Sequence, residues 1–255
     1  MRNILAIAQK ELKSYFASPI AYVVIGLFAL LYGYFFAVML QYFVRAGMNV
    51  NPMQGQQVLN INQDMLRPVL QNVTILLLFV LPAMTMRTYS EERRSGTIEL
   101  LLTSPITDWE IILGKFFGAL GLYGVMLAVT LVHMAVLFIY GTPEWKPILT
   151  SYLGLLLMGG SFLSVGLFIS TLTTNQIVAY ITTFSVFLFL WVISWLGSFS
   201  TGWFTDVTAY LSIIEHFDDF SKGVIDTTHV IYYLSLITFG LFLTAKSVDT
   251  ERWRG

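Results

Sequence analysis

Apolar residues gather along this chain in six long blocks separated by short polar stretches. The blocks fall at about 19–43, 69–86, 111–140, 148–171, 177–198 and 230–245. A helix needs about 20 residues to cross roughly 30 Å of hydrocarbon. Lipid offers no partner for free backbone groups, and the alternating ten-residue pattern of a membrane barrel is missing, so each block predicts a membrane-spanning helix. The expected fold class is an all-α integral membrane protein with six transmembrane helices, built as a single domain over residues 1–255. Pro82 predicts a kink in the second block.

The stretches between blocks carry their own patterns. In residues 1–18, Ile4, Leu5, Ala8, Leu12, Tyr15 and Phe16 form one stripe, with Arg2, Gln9, Lys10 and Lys13 elsewhere. This predicts an amphipathic helix in the membrane interface, ended by Ser18-Pro19. Residues 44–68 are rich in Asn and Gln and predict a loop or short helix. The connection 172–176 is short enough to make blocks four and five a tight hairpin. Within 199–228, Leu211, Ile214, Phe217, Phe220 and Val224 recur at helical spacing and predict one helix over 210–224.

Residues 87–110 are the most informative connection. Ser90 is a candidate N-cap, with Glu91 and Glu92 in the first turn, where acids suit the helix dipole. Gly96 permits a sharp bend. Residues 97–103 read as a second short helix stopped by Ser104-Pro105, and Thr107 with Glu110 has capping-box spacing at the start of block three. The sum is a rigid elbow rather than a solvated loop.

Composition sharpens this picture. Hydrophobic residues make up 56% of the chain and charged residues 11%, against about 25% charged in soluble domains. A net charge of −1 leaves no basic footprint for nucleic acid. Cysteine is absent, which excludes disulfides and thiolate metal sites. With the N-terminus inside, ten Lys and Arg residues fall on inner segments (Arg2, Lys10, Lys13, Arg87, Arg93, Arg94, Lys115, Lys246, Arg252, Arg254) and four on outer ones (Arg45, Arg67, Lys146, Lys222). That asymmetry predicts both termini in the cytoplasm. Lys115 then lies near the inner start of block three, where it could snorkel.

Catalytic chemistry is hard to place. The chain has no phosphate-binding loop, no HExxH and no GxSxG. His133 is the single ionisable group deep in a block, and the favoured reading is a neutral histidine bonded to a neighbouring helix. His216 with Asp218 and Asp219 could draw a cation on the outer face, though a solvated acidic helix face is the plainer reading. Gly114, Gly118 and Gly121, and the run Gly159, Gly160, Ser161, Ser164, Gly166 and Ser170, predict close helix packing without saying against what. An ATP-independent secondary transporter would show intramembrane carboxylates and internal repeats, and an intramembrane enzyme a convergent acid–base set. None of these is visible in the sequence.

The run Glu91-Glu-Arg-Arg-Ser-Gly-Thr-Ile-Glu-Leu-Leu-Leu-Thr-Ser-Pro105, followed by Glu110-Ile-Ile-Leu-Gly-Lys115, resembles the inner segment of ABC-type-2 transporter permeases. More narrowly, residues 10–22 and 216–226 are similar to the gliding-motility-associated branch. The resemblance implies an interfacial helix at 1–18, a cytoplasmic coupling helix in 87–110 and an outer helical segment at 199–228. It further implies a permease subunit of a bacterial inner membrane, exporter-type and surrounded by lipid. Such a subunit pairs with a second permease chain, identical or different, and docks two copies of a separate ATPase. ATP and Mg would sit on that ATPase, so this chain needs no cofactor and no catalytic residue of its own. Docking would fall to Glu91, Glu92, Arg93, Arg94, Gly96, Thr97 and Glu99, with the N-terminal helix as a second contact. The Tyr, Phe, Thr, Ser and Met residues of the spans suit an apolar or amphipathic cargo. A role in force transmission to an outer-face partner would need the same elbow.

Overall fold

The computed structural model describes residues 2–48, 59–97, 106–198 and 202–252. Among these, six helices are long and apolar enough to cross a membrane. In chain order the helices are α1 (Arg2–Ala17), α2 (Pro19–Met48), α3 (Arg67–Thr85), α4 (Ser90–Ser95), α5 (Asp108–Tyr140), α6 (Trp145–Thr171), α7 (Gln176–Ser198), α8 (Trp203–Leu211), α9 (Ile213–Ser221) and α10 (Thr227–Arg252). A single π-helical turn, Ile61–Leu66, leads into α3, with the Asn60 side chain accepting from the Asn62 N–H. The six long helices α2, α3, α5, α6, α7 and α10 coincide with the six apolar blocks. Helix α3 runs through Pro82 without ending.

The core lies along α3 and α6, and small residues set how closely the other helices approach it. A Cβ on Gly240 of α10 would fall 2.8–2.9 Å from the α6 backbone at Ser164 and Val165. Ser161 Oγ donates to the Tyr233 carbonyl at 3.2 Å across the same seam. Gly159 lies against the Tyr123 ring, whose hydroxyl donates to the Leu155 carbonyl at 2.7 Å. The small-residue run of block four is therefore occupied by helices of this same chain.

The glycines of block three are occupied by α1. Ideal Cβ atoms on Gly114 and Gly118 would fall 2.6 Å from Ile7 and 2.7 Å from Glu11. The packed face of α1 keeps Ile4, Ala8, Leu12, Tyr15 and Phe16 of the expected stripe, adds Ile7 and Glu11 and loses Leu5. Ile7 and Glu11 face α5, while Leu5 is 63% exposed.

The segment between α7 and α10 departs from a single helix. Ser212 is extended (φ −70°, ψ 119°), and its hydroxyl caps a new helix by accepting from the Glu215 N–H. The break re-registers the buried face to Ile213, His216, Phe217 and Phe220, and leaves Val224 exposed. A local serine cap outcompetes continuation here, because Ser212 is fully buried and its polar groups need partners.

Candidate coupling site

Helix α4 and the turn before it form the elbow. Ser90 is not its N-cap: Tyr89 holds that position, and Ser90 is the first helical residue. The free N–H groups of Tyr89 and Ser90 both donate to Ser170 Oγ of α6, at 3.0 and 3.1 Å. The cap is thus supplied by another helix, which sequence-local rules cannot see. Arg93 adds a second tie to the same helix by donating to the Thr171 carbonyl. Gly96 ends α4 at φ +70°, a left-handed conformation that favours glycine, as the bend requires. Thr107 and Glu110 form the expected capping box at the start of α5.

Beneath α4 lies Lys115. It does not snorkel, for only 2% of its side chain is exposed. Its Nζ donates to Glu11 Oε1 of α1 at 3.1 Å, to Glu92 Oε1 of α4 at 2.6 Å and to the Thr88 carbonyl at 3.1 Å. The ammonium also sits 5.1 Å from the centre of the Tyr89 ring. Three donor hydrogens find three acceptors, which is what allows the charge to stay buried. One lysine therefore joins α1, α4 and α5. Sequence reasoning missed this hub and its partner Glu11. The signal was present: a lone lysine set between Gly114 and Gly118, where another helix can close over it.

The candidate docking residues separate into two groups. Glu91, Arg94, Gly96 and Thr97 are exposed. Glu92 and Arg93 are half-buried and turned inward, to Lys115 and Thr171. Glu99, and most of the second short helix expected at 97–103, lie outside the described residues.

The opposite end of the bundle holds a second polar network. Arg67 donates to Asp218 Oδ1 at 2.5 Å and Gln71 does so at 3.0 Å, while Lys222 reaches both Asp218 and Asp219. The carboxylates are thus internally paired rather than simply solvated. No cluster able to hold a metal occurs among the described residues. His216 is buried and stacks on Tyr232, with ring centroids 3.7 Å apart. Its Nε2 meets the Tyr210 carbonyl at 2.9 Å, and its Nδ1 lies 2.7 Å from Nδ1 of His229, whose Nε2 lies 3.0 Å from Asp219 Oδ2. Carbonyl and carboxylate only accept, so each ring donates through its Nε2 in this geometry.

Burial pushes the His216 pKa down; the bond to the Tyr210 carbonyl acts upward against it, and the neighbouring His229 adds a smaller push down. The hydrogen bonds from His229 and Lys222 hold Asp219 below the usual carboxylate range. For Asp218, burial alone would act upward, but bonds from Lys222 and Arg67 outweigh it and bring the group down. The lowered His216 value fixes the sign of the pH dependence. Below the ordinary value of 6.5 the unfolded chain binds the extra proton before the folded one does. Stability is full above that pH and falls as pH drops toward the lowered folded value. We expect the melting temperature of the purified protein to fall as the pH is lowered from 7 through about 6, and His216→Gln to flatten that slope. A pH-independent melting temperature across this window would refute a His216 held neutral by its burial.

Among the described residues, His133 makes no hydrogen bond to a neighbouring helix. It lies edge-on to Tyr32 and Phe36 of α2, at 5.0 and 5.1 Å, with its Nδ1 unpartnered. Gly33 makes room for it: a Cβ there would fall 3.2 Å from Nε2.

Fold and elbow together define a multi-pass helical membrane protein whose N-terminal helix and first described inter-span elbow are fastened to one end of the bundle. Residues 5–244 match the family described as "ABC-2 family transporter protein", and the chain belongs to that family of transporter permeases. It is 29% identical over 141 residues to the "Probable multidrug ABC transporter permease YbhR" of Escherichia coli strain K12, and equally to the protein of that name from strain O157:H7. The match covers 53% of this chain and 37% of each relative.

Proposed function

We propose that this chain is the membrane subunit of an ATP-driven exporter in a bacterial inner membrane, with the elbow end facing the cytoplasm and a separate ATPase docked on α4. The observation that carries this reading is the division of labour on α4. Glu92 and Arg93 fasten it to Lys115 and to α6, while Glu91, Arg94, Gly96 and Thr97 face outward beside it. A short helix held rigidly from within and polar on its free side suits docking in a cleft of a partner. ATP and Mg belong to that partner. Two permease chains, related by a two-fold axis in the simplest case, would each receive one ATPase. Glu92 and Arg93 then act by holding the elbow rather than by touching the ATPase.

The cargo would be apolar or amphipathic, in keeping with the relative's multidrug description and the scarcity of charge in the spans. Force transmission to an outer-face partner, as the gliding-motility-like stretches imply, would use the same elbow without a cargo.

The test is a paired charge reversal, Glu91→Lys with Arg94→Glu, in the chain purified from its native membrane. We expect loss of the co-purifying ATPase and of stimulated ATP turnover, with an unchanged melting temperature because both side chains are exposed. Undiminished recovery of the ATPase would end the docking assignment.

A further inference from the structure

A cavity of about 410 Å³ opens between α1, the elbow and the adjoining ends of α2, α3 and α5. That volume lies within the range of small-molecule sites. Its polar wall includes Lys10, Arg87, Glu91 and Glu92. Two residues of that wall each hold a buried polar atom without a hydrogen-bond partner among the described residues: Arg87 Nε, a donor, and Glu92 Oε2, an acceptor. Buried polar atoms of a native protein are seldom left without partners, so each points to something that completes it. Glu11, Lys115 and three hydroxyl residues, Ser14, Ser18 and Thr88, extend the polar wall, and the apolar part includes Ala21, Ala83 and Leu122.

The charge balance selects the ligand. The wall carries three bases, Lys10, Arg87 and Lys115, and three acids, Glu11, Glu91 and Glu92, so it sums to zero. A purely anionic head would satisfy Arg87 but press against Glu92 Oε2. A purely cationic one would do the reverse. A head that carries both signs satisfies both.

We propose that this cavity binds a zwitterionic amphiphile, with its phosphate toward Arg87 and Lys10, its ammonium toward Glu92 and Glu91, and its alkyl part along Ala21, Ala83 and Leu122. The leaflet involved rests on the reading that the elbow end is cytoplasmic; the binding chemistry does not. The ligand is either a resident membrane lipid or an amphiphile on its way across.

The test is native mass spectrometry of the purified chain in detergent, titrated with an equimolar mixture of phosphatidylethanolamine and phosphatidylglycerol. We expect retained phosphatidylethanolamine, and about a tenfold loss of that retention in Arg87→Gln, as for a lost charge-assisted hydrogen bond. Lys10→Gln, on the exposed side of α1, should weaken retention too and serves if Arg87→Gln does not fold. Preference for phosphatidylglycerol, no retained lipid, or retention indifferent to both substitutions would overturn the proposal. An adduct kept through ATP turnover marks a resident lipid and one lost during turnover marks a cargo; either upholds the site. Binding is read on the chain alone, so a chain that holds phosphatidylethanolamine but recruits no ATPase refutes only the functional reading above.

Discussion

Lys115→Met should be the most damaging single substitution at the elbow end. It removes the cation that pairs with both Glu11 and Glu92 and leaves two carboxylates at a largely buried site. Breaking a buried pair from one side costs about 3–5 kcal/mol, because the stranded charge loses its compensation. Methionine fills nearly the same volume, so the loss reports charge rather than a cavity. Glu92→Gln should cost much less, since Glu11 and the Thr88 carbonyl still hold the ammonium. The check is thermal unfolding of the single and double variants as a mutant cycle. Equal stability of Lys115→Met and wild type would show that the three helices are held by something else. Strong coupling between the two positions would confirm the hub.

Gly118→Val should lift α1 off α5. The added Cβ would start 2.7 Å from the Cβ of Glu11 and 3.2 Å from the Ala8 carbonyl, neither of which is the free end of a flexible side chain. Overpacking of this kind costs about 1–3 kcal/mol. It also pulls Glu11 away from Lys115, so the ion pair and the helix contact fail together. The chain has no cysteine, so one introduced pair on α1 and α5 reports their distance by cross-linking without background. We expect the cross-link to be lost in Gly118→Val and kept in Gly124→Val, where a Cβ meets nothing within 4 Å. A cross-link that survives Gly118→Val at wild-type yield would mean that α1 is not seated in the glycine notch.

The contrast between these glycines shows what the sequence could and could not say. All six spans, the short connection before α7, the capping box at Thr107 and the bend at Gly96 were legible, because each is decided within a few residues of chain. Where the deciding partner lies far away in sequence, the reading failed. Ser90 looked like a cap because it precedes two acids, yet the cap comes from Ser170, eighty positions on. Lys115 looked free to reach solvent until Glu11 and Glu92 closed over it. The candidate docking set was legible as a cluster of charges. Which of its members face outward was not, since Glu92 and Arg93 are claimed by partners in α5 and α6 that no local pattern encodes. The helix expected over 210–224 failed at Ser212, where a buried hydroxyl and a local cap outweighed a continuous apolar stripe.

The seryl cap has a mechanical consequence. A serine hydroxyl hangs on one rotatable bond, whereas a lysine or arginine reaches its partner through several. Ser170 grips two consecutive backbone N–H groups of the elbow through this short arm. The helix that bears it is also the most deeply embedded of the six, with 72% of its most apolar stretch buried, against 17% for α2. Movement of the elbow is therefore transmitted to α6 with almost no backlash. Helices α2 and α7, by contrast, have the least of their surface covered by other helices of this chain, so they are the ones left for lipid or a second chain to hold.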